Sequence, residues 1–260
     1  LTLLLTLLFV APAARAQFAS RGVPINVKTA PNVEQFKAEI EKFVTDTAQQ
    51  LASEAADASS KARDALINET RAPDAKGNNT ATAAYLDYYA ACVDNALKNL
   101  ATNPNARVRL NVAIVVAGVA REAGYIANSV QLVPLIQQLL QDKSQAVVLW
   151  AVKATGPTIV VGQPPMQLIT AVIAAVKANP KGLIGGAIAY DAYDALSVNV
   201  AASRVAPPAN LIKPLVGPMQ DLMTWRLTLY VKGVPAEPRA ERIGANFLCN
   251  PWVWPQETPP

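Results

Sequence analysis

The chain has 260 residues, 52% of them hydrophobic, with 23 basic and 19 acidic side chains and a formal net charge of +4. That excess is small and evenly mixed along the chain, which argues against a nucleic-acid partner. Histidine is absent, so the commonest general base, the usual catalytic triads and zinc sites built on imidazole are excluded.

The first residues, "LTLLLTLLFVAPAARAQ", form an apolar run too short for a bilayer, followed by Ala14-Arg15-Ala16 in the A-x-A pattern of a secretory cleavage site. Residues 1–16 are therefore expected to be a signal peptide cut after Ala16, with the product exported to a periplasmic or extracellular space. The basic segment that usually precedes such a run is missing and the chain starts at Leu1, as in a clipped reading frame or one with an alternative start codon. No cysteine follows the cut, which argues against a lipid anchor, and no later run is expected to span a membrane. Cys92 and Cys249 lie 157 positions apart; they either pair in an oxidising compartment or leave Cys92 as a buried thiol.

Residues 17–70 read as an N-terminal arm and one long amphipathic helix. Val33, Phe36, Ile40, Phe43, Val44, Thr47 and Leu51 recur at three- and four-residue steps, and alanines continue the face as far as Leu66. Alanine favours helix but buries little area, so this second half needs a close partner. A second copy of residues 33–66 in a coiled coil would supply one. Residues 71–82, "RAPDAKGNNTAT", combine Pro, Gly and Asn and read as a linker.

The body, residues 83–230, repeats itself. The unit "LVPLIQQLLQDKSQAVVLWAVKATG", residues 132–156, superposes on the chain 39 positions earlier and 37 later. Val93, Leu132 and Ile169 share one column, Leu97, Ile136 and Ile173 the next, and Leu100, Leu139 and Val176 a third. A polar break follows in register at Asn103, Asp142 and Asn179. After it Val108, Val147 and Ile184 align, then Val112, Ala151 and Ile188. Each unit is a helix pair whose apolar face is satisfied only by stacking on the next. A degenerate fourth unit is expected within residues 211–230, its first helix kinked at Gly217-Pro218. Residues 231–260 read as a proline-rich tail with one short helical patch near Arg239 and Phe247.

These residues resemble the HEAT repeat, in which a leucine-rich helix carrying a proline leads through an Asp-containing turn to a second helix opening with Val-Arg. "NPNARVRLNVAIVVAGVA", residues 103–120, looks like the turn and second helix of the preceding repeat, with Val108-Arg109 in place. The resemblance implies an all-α, right-handed α-α solenoid of about three to four helical hairpins. In that family the arginine ladders to turn aspartates of neighbouring repeats. Val148 and Gly185 replace it in the next two units, so a partial ladder at most is expected here.

In such an array the second helices line a concave face that binds extended partners. Leu149, Trp150, Lys153, Tyr190, Tyr193 and Asp194 fall there and are the expected partner-binding residues, aromatics with flanking charges. "KGLIGGAIA", residues 181–189, lacks P-loop spacing, and neither G-x-S-x-G nor S-x-x-K occurs. No catalytic residue, metal ligand or cofactor site is assigned. The expected function is that of an exported scaffold or adaptor for a protein or peptide partner; the alternative is a structural envelope protein self-associating through residues 33–66.

Overall fold

A computed structural model describes residues 22–159, 165–197, 209–234 and 237–253. The expected signal peptide lies outside these residues. The described chain is all-helical; it contains one isolated antiparallel bridge, Pro73 with Asn79, and no β-strand. A single turn, α1 (Ile25–Lys28), precedes five successive helix pairs. These are α2 (Lys37–Leu51) with α3 (Ala56–Asn68), α4 (Ala83–Leu97) with α5 (Ala106–Ala127), α6 (Val133–Leu139) with α7 (Gln145–Ile159), α8 (Met166–Ala178) with α9 (Gly182–Ser197), and α10 (Ala209–Val231) with α11 (Pro238–Leu248). Each pair touches the next through both members. First helices α2, α4, α6, α8 and α10 follow one another, and so do second helices α3, α5, α7, α9 and α11.

The long N-terminal helix expected from periodicity is two helices. The apolar spacing runs on without interruption, but the chain turns back at residues 52–55. The guanidinium of Arg107, at the start of α5, donates to the carbonyls of Ser53 (2.9 Å) and Glu54 (3.0 Å) and so fixes the turn. Doubling back covers a face that one straight helix would leave in water: Ile40, Val44, Leu51 and Leu66 are fully buried within their own chain. The side chains a coiled coil between copies would use thus face inward.

Residues 71–82, expected as a linker, fasten the first pair to the second. Asp74 accepts the amides of Lys76 (2.8 Å) and Asn78 (2.9 Å), closing a turn in which Gly77 holds a φ of 81°. The Asn79 side chain bridges the Ala72 amide, the Thr70 carbonyl and the Glu122 carboxylate of α5. Lys28 Nζ sits 2.7 Å from Glu69 Oε2, which also accepts the Val23 amide. Tyr85 and Tyr89 of α4 are fully buried and donate their hydroxyls to the carbonyls of Glu69 and Leu66 at the end of α3.

In the body the repeat columns meet the core. Val93, Leu132 and Ile169 are buried, as are Val112, Ala151 and Ile188; Leu100 and Ile173 are half-buried, and Ile184 stands outside at 40% exposure. The polar break is built alike in two units: Asn103 and Asp142 each accept the amide two residues on, from Asn105 (2.9 Å) and Ser144 (2.7 Å). Asn105 then caps α5 through the Arg107 amide. Arg109 pairs with Asp142 at 2.6 Å, joining two successive helix pairs.

Helix α5 is long and apolar enough to cross a membrane, against the expectation that no run after residue 16 would be. It packs against α3, α4 and α7 and buries Arg109 and Asn111, as the central helix of a core does. At the far end, residues 211–230 are not a hairpin. They belong to one helix, α10, which runs through Pro214 and Pro218. Its partner is α11, inside the segment expected as a tail. Phe247 and Ala240 of α11 are buried, and Arg226 of α10, 1% exposed, pairs with Glu241 of α11 at 3.0 Å.

Candidate functional site

Small residues let the second helices approach closely. A Cβ on Gly118 of α5 would lie 2.8 Å from the Ile67 side chain of α3, and one on Gly124 would lie 2.5 Å from the Pro157 carbonyl oxygen of α7. Gly156 of α7 faces Ala195 of α9 at ordinary contact distance, 3.6 Å. Along this seam of short side chains runs a groove of about 450 Å³. It takes Ile67 from α3; Ile114, Ala117, Gly118, Arg121 and Tyr125 from α5; Trp150, Lys153, Gly156 and Pro157 from α7; and Asp191, Asp194 and Ala195 from α9. Val152 of α7 also borders it; steps of three and four residues on each helix put the other positions on one stripe.

Of the six expected partner-binding residues, the groove brings together Trp150, Lys153 and Asp194. Leu149 is half-buried and packs on the core, and Tyr190, 40% exposed, lies outside the groove lining. Tyr193 is a correction: it is fully buried, because Gly244 of α11 offers no Cβ and its backbone closes over the Tyr193 ring. Sequence reasoning missed the α3 and α5 walls. The available signal was the small-residue stripe Ala117, Gly118, Gly156 and Ala195, which follows the same spacing.

The electrostatics are uneven. Lys153 Nζ lies 2.9 Å from Asp191 Oδ2, tying α7 to α9, and sits 6.0 Å from the Trp150 ring centroid. The Asp194 carboxyl is raised above the ordinary carboxylate range, by burial first and then by neighbouring Asp191, with Lys153 opposing. Tyr125 is raised as well, by burial and then by the Asp194 charge. Arg121, half-exposed, has Glu122 at 3.3 Å. The groove therefore offers aromatic and apolar surface with a cation on α5 and carboxylates on α9, an arrangement suited to holding a ligand in a set direction. Among the described residues no group of three or more Cys, Asp or Glu is placed to hold a metal. No protein-family model matches the chain, and no curated protein or solved structure shows significant similarity to it.

Proposed function

We propose that the chain is an exported, HEAT-like α-solenoid of five helical hairpins that acts without catalysis as a scaffold or adaptor, binding an extended segment of a protein partner along its second helices. The carrying observation is the groove itself, which crosses α3, α5, α7 and α9 in order and collects Trp150, Lys153 and Asp194. The successive contacts of first helices with first helices and second with second support the solenoid reading. The Arg109–Asp142 rung supports the likeness to HEAT repeats. The apolar run and A-x-A site of residues 1–16 support export. Burial of Ile40, Val44, Leu51 and Leu66 within the chain argues against self-association through residues 33–66.

The test is photo-crosslinking in the native envelope from a reactive residue placed at Gly156, in the groove, and at Lys177, exposed on first helix α8. A discrete adduct from position 156 that is absent from 177 is expected. Adducts from 177 alone, or none from either, overturn the reading.

A further inference from the structure

The groove gathers two cations and two carboxylates but pairs only Lys153 with Asp191 among them. Lys153 is engaged by Asp191 at 2.9 Å, and Arg121 has its own carboxylate neighbour in Glu122 at 3.3 Å. Asp194 lines the same groove three residues after Asp191, its residue exposed but its carboxyl partly desolvated, and among the described residues no hydrogen bond or ion pair reaches that carboxylate. Two aromatic side chains, Trp150 and Tyr125, line the volume with it, and Tyr125 lies close enough to feel its charge.

An ionised carboxylate that shares a groove with aromatic side chains suits a cation on an apolar stem. The carboxylate takes the charge, while the rings cover the methylenes and add cation–π attraction. We infer that this stretch of the groove receives a lysine or arginine side chain borne by an extended segment of a partner protein, with Asp194 as its counter-ion and Trp150 and Tyr125 against its stem. The rest of the groove argues for a chain segment over a free amine. Its α3 and α5 walls, Ile67, Ile114, Ala117 and Gly118, are apolar and suit neighbouring side chains of the same segment. Arg121 on α5 disfavours a second basic residue at that end and so sets the direction in which the segment lies.

This inference rests on the groove being the partner site, and the experiment separates the two. The full chain is used to select from a displayed library of short random peptides, and the recovered peptides are titrated against the native chain and against Asp194→Asn, Asp194→Lys and Trp150→Ala. Circular dichroism confirms that each variant is folded. The expected result is enrichment of Lys or Arg at one position, binding weakened about tenfold or more by Asp194→Asn, and a switch to Asp or Glu at that position on Asp194→Lys. Peptides that lose binding with Trp150→Ala but show no basic preference overturn the inference and leave the groove reading standing. Peptides indifferent to Trp150→Ala, or none recovered, overturn both. Spermidine displacing the peptides as well as a lysine-bearing competitor does would assign the site to a free amine and overturn the commitment to a protein segment.

Discussion

Arg109 grips Asp142 across two successive helix pairs with two parallel bonds, Nε to Oδ2 at 2.6 Å and Nη2 to Oδ1 at 3.2 Å. The same guanidinium donates through Nη1 to the carbonyls of Asn103 (2.7 Å) and Pro104 (3.1 Å), and Asp142 Oδ1 also accepts the Ser144 amide. Both side chains are nearly buried, at 5% and 7% exposure, so one ion pair joins the α4–α5 turn to the α6–α7 turn. Asp142→Ala leaves a buried guanidinium without its counter-ion and is expected to cost about 3–5 kcal/mol in urea unfolding. The double variant Arg109→Met with Asp142→Leu should lose clearly less than the sum of the single changes.

The glycine seam predicts opposite outcomes for two chemically identical substitutions. Gly124→Ala drives a methyl to 2.5 Å from a backbone oxygen of α7, which cannot swing aside, and should destabilise by about 1–3 kcal/mol. Gly156→Ala meets Ala195 no closer than 3.6 Å and replaces glycine inside a helix, so it should be neutral or stabilising by up to about 1 kcal/mol. Thermal melts of the two variants side by side check the seam directly.

Asp194 makes stability depend on pH with a definite sign. Burial and Asp191 raise its folded pKa above the unfolded one, so between the two values the folded state holds more protons. Stability contributed by this group is present below the ordinary aspartate range and is lost as pH rises through the folded value. Asp194→Asn is therefore expected to raise the Tm slightly at neutral pH, with the gain vanishing at acid pH. A gain that persists unchanged at low pH would assign it to something other than ionisation.

The all-helical class was legible from apolar residues at three- and four-residue steps, and the columns through Val93 and Val112 are buried. What misled the reading was register. The spacing sets the third unit 37 residues after the second, with Ile184 in the Val147 column; Ile184 is exposed, and its neighbour Gly185 is buried instead. Glycine carries no side chain for a hydropathy pattern to count, so the one-residue slip was invisible. The groove stripe on α9 is Asp191, Asp194 and Ala195, with Tyr193 buried and Tyr190 outside the lining. The break near Ser53 was hidden for a different reason: its fixing partner, Arg107, lies 54 residues away. The helix α11 was legible as a short patch near Arg239 and Phe247, but its packing was not, because its burial comes from α9 and α10.

The cysteines give a simple chemical check. Cys92 is buried, its thiol pushed up to about 11 mainly by burial and by Glu41, while Cys249 is exposed and unbridged. Titration of the folded chain with a thiol reagent should find one reactive group, and a second only after unfolding. No reactive thiol in either state would mean that the two are paired.

The most direct measurement is amide hydrogen exchange on the full chain, with and without the partner recovered by crosslinking at position 156. Binding along the second helices requires added protection within residues 114–125, 150–157 and 191–195, with α4, α6 and α8 unchanged. Protection confined to those first helices, or to α10 and α11, would contradict it.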